Sequence, residues 1–232
     1  MTTGRFGHVL VVDDEPVLAG VVASYLDRAG FSTTVTGNGV EAVELARTED
    51  PTVIILDLGL PGLDGVEVCR QIRTFSDCYL IMLTARTDEI DVLIGLSVGA
   101  DDYVTKPFSA RELVARVQTM LRRPRTSGAN ARPVRRFGAL EVDADARDAR
   151  VSGTPVDLTP TEFDLLAVLS ERPRLAFSRH QLIETIWGGV GTGDEHLVDV
   201  HIANLRRKLG DAPAQPRYII TVRGVGYRMG QG

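Results

Sequence analysis

Along the first 123 residues, short runs of apolar positions alternate with stretches whose apolar residues recur every three to four positions. His8–Val12, Ser32–Val35, Val53–Leu56, Leu80–Leu83 and Tyr103–Thr105 have the length and branched-residue content of buried strands. Pro16–Ala29, Gly39–Glu49, Asp64–Ser76, Glu89–Val98 and Ala110–Arg122 carry helical periodicity. In the first of these, Val17, Val21, Val22, Tyr25 and Leu26 share a face, and Gly30 offers a left-handed stop. Asp64 is placed to cap the third. Strand and helix in alternation predict a doubly wound (βα)5 parallel sheet of the α/β class. Beyond residue 133 the pattern changes. Arg136–Val142 and Arg147–Val151 read as short antiparallel strands. Thr159-Pro160-Thr161-Glu162 and Ser178-Arg179-His180-Gln181 are capping boxes that open helices over 160–171 and 179–187. A glycine-rich stretch leads to a third helix over 195–209, ended by Gly210. Tyr218–Val222 and Tyr227–Met229 flank Arg223-Gly224-Val225-Gly226 as a hairpin. Three helices closed by a hairpin predict an α+β winged helix-turn-helix. The polar, proline-bounded segment between the two patterns is a linker, which divides the chain into domains at 1–123 and 134–232, joined by 124–133.

Four of the strand-like runs end on residues suited to phosphoryl chemistry: Asp13 and Asp14, Asp57, Thr84, and Lys106. Parallel strands bring their carboxyl ends to one edge, where open sheets place ligands. An aspartyl phosphate needs a carboxylate nucleophile, a metal against the incoming charge, and a cation on the remaining oxygens. Asp57 supplies the nucleophile. Asp13, Asp14, Asp57 and the Gly59 carbonyl form an oxygen set for Mg²⁺ or Mn²⁺. Lys106 would pair with the phosphoryl oxygens and Thr84 would hydrogen-bond one of them. Of 26 basic residues only Lys106 and Lys208 are lysine; a slim ammonium enters a tight anionic site where a planar guanidinium does not.

Charge separates along the chain. Residues 1–123 hold 11 basic and 18 acidic residues (−7), whereas 197–232 hold 6 and 2 (+4). The first part suits cations and the last a polyanion. In the helix over 195–209, Val198, Ile202, Leu205 and Leu209 form an inward stripe. Val200, Ala203, Asn204 and Arg207, flanked by His201, Arg206 and Lys208, are expected to meet a DNA major groove. Arg223 at the hairpin tip is expected to reach a minor groove. No stretch approaches the roughly 20 apolar residues of a membrane span. The N-terminus lacks a signal-peptide pattern, and Cys69 and Cys78 have no metal-ligand spacing, so a cytoplasmic protein is expected.

The strings Val-Val-Asp-Asp-Glu, Leu-Asp-Leu-Gly-Leu-Pro-Gly-Leu-Asp-Gly, Leu-Thr-Ala-Arg and Gly-Ala-Asp-Asp-Tyr-Val-Thr-Lys-Pro-Phe stand in one order over residues 7–123. This part resembles a response-regulator receiver domain. Leu-Thr-Pro-Thr-Glu-Phe-Asp-Leu-Leu, Leu-Val-Asp-Val-His-Ile-Ala-Asn-Leu-Arg-Arg-Lys-Leu-Gly-Asp and Tyr-Ile-Ile-Thr-Val-Arg-Gly-Val-Gly-Tyr-Arg make residues 135–230 resemble the OmpR/PhoB class of effector domains. The resemblance implies a transcription regulator in which a sensor histidine kinase phosphorylates Asp57. It implies a cis Lys106-Pro107 peptide and an aromatic switch at Tyr103. It also implies a homodimer through Asp101, Asp102, Glu112 and Arg116, binding to direct-repeat promoter half-sites, and an RNA polymerase contact by the loop holding Trp187, Gly188, Gly189, Val190 and Gly191. Departures are visible at Val92, Ser97 and Gln118 on the dimer face, and at His196, where an arginine often contacts phosphate. Two other readings compete. One is a regulator of the same fold that ignores phosphate. The other is a phosphatase of the haloacid-dehalogenase type, which needs an acid two residues after the nucleophile. That position is Gly59, so a stored signal is expected rather than an enzyme.

Overall fold

The computed structural model describes residues 6–85, 89–121, 133–189 and 194–232, and the chain divides into two compact units, Met1–Leu121 and Arg122–Gly232. The expected linker over 124–133 and Val190 and Gly191 of the expected polymerase loop lie outside the described residues, Pro133 excepted, as does the side chain of Val92.

In the first unit five parallel strands, β1 (His8–Val12), β2 (Ser32–Thr36), β3 (Val53–Asp57), β4 (Tyr79–Ala85) and β5 (Asp102–Lys106), form one sheet in the order β2-β1-β3-β4-β5. Every residue from Val9 to Val12 and from Val53 to Leu56 is fully buried, as unbroken apolar runs require in a sheet covered on both faces. The crossovers are α1 (Pro16–Arg28), α2 (Gly39–Glu49), α3 (Gly65–Ile72) and α4 (Glu89–Val98), and α5 (Ala110–Leu121) follows the last strand. Asp64 caps α3 through the Glu67 amide. That helix stops four residues short of the expected Ser76. Arg73 beyond its end turns inward, giving Nε to the Gly99 carbonyl, Nη1 to that of Cys78 and Nη2 to the buried Asp101 carboxylate.

The second unit opens with a four-stranded antiparallel sheet, β6 (Arg135–Phe137), β7 (Leu140–Asp143), β8 (Asp148–Val151) and β9 (Thr154–Pro155). The single strand expected over 136–142 is therefore a tight hairpin. Gly138, at φ +56°, takes the left-handed conformation that turns the chain there. Helices α6 (Pro160–Glu171) and α7 (Arg179–Trp187) each carry a reciprocal capping box, from Thr159 with Glu162 and from Ser178 with Gln181. They pack with α8 (His196–Leu209). Gly210 ends α8 in the left-handed region, and the buried Asp211 carboxylate accepts the amides of Arg217, Tyr218 and Ile219. That cap starts β11 (Ile219–Val222), which pairs with β12 (Gly226–Met229) as a hairpin. A short strand not expected from the pattern, β10 (Phe177–Ser178), adds to the other edge of β12.

Candidate functional site

The strand register decides what meets at the carboxyl edge of the parallel sheet. Asp57 is the last residue of β3, in register with Leu83, one residue before Thr84; Thr84 is in register with Thr105, one before Lys106. Asp13 continues β1, its amide bonded to the Thr36 carbonyl. Oxygens of Asp13, Asp14 and Asp57 lie within 4.8 Å of one another. Lys106 Nζ stands 2.9 Å from Asp13 Oδ2 and 3.2 Å from Asp57 Oδ2. Asp13, Asp57 and Thr84 are buried, and Asp14 faces solvent. Burial pushes the Asp57 carboxyl above its ordinary range and Asp13 adds to this, against the opposing pull of Lys106 and the Gly59 amide. Lys106 is held charged, its pKa raised by Asp13 and Asp57 in spite of partial burial. The Lys106-Pro107 peptide is cis.

Two backbone features shape the pocket. α3 begins so close under β3 that a Cβ on Gly65 would stand 2.2 Å from the Asp57 carbonyl oxygen. The Glu15 amide donates to Asp13 Oδ1, and its carboxylate lies 3.6 Å from Lys106 Nζ. Glu15 was absent from the expected set; its signal was its place as the third acid after β1. The donor set suits a hard divalent cation. It is all oxygen, and Asp13 Oδ2, although ion-paired with Lys106, is buried and meets no donor in hydrogen-bonding geometry.

In the second unit the outward face of α8 is narrower than the sequence suggests. His196, Ala203 and Arg207 are exposed and Val200 half-buried. His201, Asn204 and Arg206 are buried. His201 packs on Trp187, ring centroids 5.6 Å apart. Arg206 gives Nη2 to the Ile219 carbonyl and to Thr221 Oγ1, both at 2.7 Å. Lys208 Nζ donates to the buried Glu162 at 2.7 Å. These four therefore turn into the fold: His201 and Asn204 by burial, and Arg206 and Lys208 because their cationic groups are bonded within it. Arg223 and Val225 are exposed in the hairpin turn. Trp187 is also interior, which leaves Gly188 and Gly189 as the described exposed part of the expected polymerase loop.

Residues 9–118 match the family described as response regulator receiver domain, and residues 153–229 that described as transcriptional regulatory protein, C terminal. The chain is 45% identical over 223 residues to the DNA-binding response regulator MtrA of Mycolicibacterium smegmatis, covering 96% of each protein. It belongs to the OmpR/PhoB-type response regulators. Identity to the transcriptional regulatory protein CseB of Streptomyces coelicolor is 46% over 232 residues, covering 96% of this chain and 97% of that one. Among solved structures it is similar to DrrB, an OmpR/PhoB homologue from Thermotoga maritima (TM-score 0.51, 33% identity, 96% of this chain and 98% of that one). It is also similar to a RitR mutant (TM-score 0.78, 27% identity, 97% and 100%). As a response regulator the chain joins a receiver to a DNA-binding domain, with a histidine kinase and DNA as the partners this pairing implies. Control by phosphorylation is the general mechanism of such proteins, and their receivers generally bind Mg²⁺ in an acidic pocket of the kind formed here.

The expected dimer residues behave differently from free surface charges. Asp101 is fully buried and bonded to Arg73 and to the Leu80 amide. Arg116, also buried, pairs with Asp102 at 2.8 Å and Glu112 at 3.0 Å within the same chain. Asp101 is thus a clasp of the fold. Asp102 and Arg116 are already partnered, and only Glu112 of the four is partly exposed.

Proposed function

We propose that Asp57 is the phosphoacceptor of this response regulator and that its phosphorylation by a sensor histidine kinase raises affinity for promoter DNA. The observation that carries this reading is the convergence of Asp13, Asp14 and Asp57 with the ammonium of Lys106 at one sheet edge. In it, Asp13, Asp14, Asp57 and the Gly59 carbonyl would hold Mg²⁺ or Mn²⁺, which when bound neutralises charge on the incoming phosphoryl group. Asp57 attacks phosphorus through a carboxylate oxygen as the N–P bond of the kinase's phosphohistidine breaks, the imidazole leaving with that electron pair. Lys106 stays protonated and faces the oxygens that gain charge. Thr84, buried at the end of β4, turns its hydroxyl to one of them, and the volume it vacates lets Tyr103 swing inward. The new charge, roughly −1.5 to −2, thereby reshapes the face made by α4, β5 and α5 and favours a homodimer. Gly59 leaves no acid two residues after the nucleophile to activate water, so the phosphoryl group is stored and the protein acts as a switch rather than as a phosphatase. At the other end, Val200, Ala203 and Arg207 of α8 enter the major groove, Arg223 reaches the minor groove, and the loop after α7 meets RNA polymerase. Binding is to direct-repeat half-sites.

A small phosphodonor with Mg²⁺, given to the wild type and to Asp57→Asn, tests this. Wild type should retain one label per chain that is labile to base and to hydroxylamine, and Asp57→Asn none. Absence of label on both would leave a constitutive DNA binder, and rapid multiple turnover would make it a phosphatase.

A further inference from the structure

Three side chains from three elements meet between α8 and the hairpin. Asp199, in the first turn of α8, accepts from Arg179 Nε and from the Tyr227 hydroxyl, both on Oδ1 at 2.7 Å. Arg179 is the first residue of α7. Its Nη2 reaches the Tyr227 oxygen at 3.3 Å, and its guanidinium lies over the Tyr227 ring, 5.0 Å from the centroid. Tyr227 belongs to β12, and the guanidinium of Arg206 lies 5.6 Å from the centroid of the same ring. The tyrosine is buried, while Arg179 and Asp199 keep side-chain exposures of 27% and 35%. Burial and the Asp199 carboxylate push the Tyr227 hydroxyl up to about 12, so it stays a donor at any working pH.

A carboxylate in the first turn of a groove-entering helix would repel phosphate unless its charge is matched. Here a guanidinium matches it, and the same oxygen ties the helix to the hairpin. We propose that Asp199, Arg179 and Tyr227 are positioning residues for DNA binding, a latch that fixes α8 against the wing and masks the Asp199 charge so that helix and wing engage DNA as one body. This rests on the reading of α8 and the hairpin as the DNA-contacting elements. The latch sets the offset between the Ala203–Arg207 face and Arg223. It therefore acts on discrimination between sequences more than on the number of phosphates neutralised.

The test uses the full chain with a duplex selected from random sequence by the wild type, and with an unselected duplex, across a salt series. Arg179→Gln should uncover Asp199 and weaken binding to the selected duplex about tenfold, with the slope of log K against log salt lowered and then restored when Asp199→Asn is added. Adding Asp199→Asn should recover most of that loss, which a mere folding defect would not do. Tyr227→Phe, which keeps the ring, should weaken the selected duplex severalfold and the unselected one little. A slope lowered by about 0.9 in Arg179→Gln, with no rescue by Asp199→Asn, would make Arg179 a direct phosphate contact and overturn the latch. So would wild-type binding by all three variants while Arg207→Ala is impaired. Wild-type binding by Arg207→Ala would instead overturn the DNA-facing reading of α8, and the latch with it.

Discussion

Asp57 is a buried carboxylate among other acids, and its proton affinity follows from that. Burial first, then Asp13, raise its carboxyl pKa in spite of Lys106. A carboxyl whose folded pKa exceeds its unfolded one stabilises the fold in acid, and that contribution is lost as pH rises through the folded value. At pH 7.5 without divalent ions, Asp57→Asn should therefore raise the receiver's thermal midpoint, by roughly 2–4 °C. The gain should shrink as pH is lowered, and adding Mg²⁺ should stabilise the wild type far more than the variant; scanning calorimetry at two pH values, with and without the ion, checks all three. The buried ion pair at Arg116 behaves in the opposite sense. Removing it by Arg116→Ala strands the charge of Asp102, which is fully buried. A loss of about 3–5 kcal/mol in denaturant unfolding is expected, much of it recovered when Asp102→Asn is added.

Among the elements, α3 shows how tightly the site is tied to the frame. The N-terminus of α3 approaches β3 so closely that Gly65→Ala forces a contact of 2.2 Å on the Asp57 carbonyl. Overpacking of this kind costs about 1–3 kcal/mol, and here it also displaces the nucleophile. The variant should be phosphorylated by a small donor at least several times more slowly than wild type, measured alongside its urea midpoint. The five strands and their helices were legible because apolar runs and helical periodicity report burial directly. The acid edge was legible because each run ends on its reactive residue. α8 was legible only in part. Its apolar stripe was clear, but polarity alone assigned His201, Asn204, Arg206 and Lys208 to the outside. Arg206 and Lys208 are satisfied by partners distant in sequence, the Ile219 carbonyl and Glu162, and His201 is buried with its ring packed on Trp187. Asp101 and Arg116 are placed on the dimer face by resemblance, which carries positions and not burial. Their partners within the fold, Arg73 for Asp101 and Asp102 for Arg116, come from other elements and leave no local mark in the sequence. The break in the strand over 136–142 was missed because one glycine in a run of strand-formers is a weak turn signal.

For the whole molecule, the proposed switch carries a thermodynamic obligation. If charge at Asp57 raises DNA affinity by some factor, DNA must raise the receiver's affinity for that charge by the same factor, because both changes close one cycle. Such couplings are typically about 1–3 kcal/mol, or roughly 5–150-fold. Covalent phosphate does not exchange fast enough to show this, but beryllofluoride with Mg²⁺, which binds a carboxylate as a phosphoryl mimic, does. Titrating it into the full chain with and without a selected duplex should give two affinities for the mimic. Their ratio should match the ratio of DNA affinities measured with and without the mimic. Equality above unity locates the coupling in this chain and gives its size. A mimic that binds with Asp57 intact, while both ratios stay at one, would mean that the receiver loads without speaking to the DNA-binding unit. Since the two ratios are fixed to each other by state functions alone, a mismatch between them would point to a change in oligomeric state during one titration and not the other. That is where dimerisation through the α4, β5 and α5 face enters: repeating the pair of titrations at two protein concentrations should move both ratios together if dimer formation carries the signal, and neither if it does not.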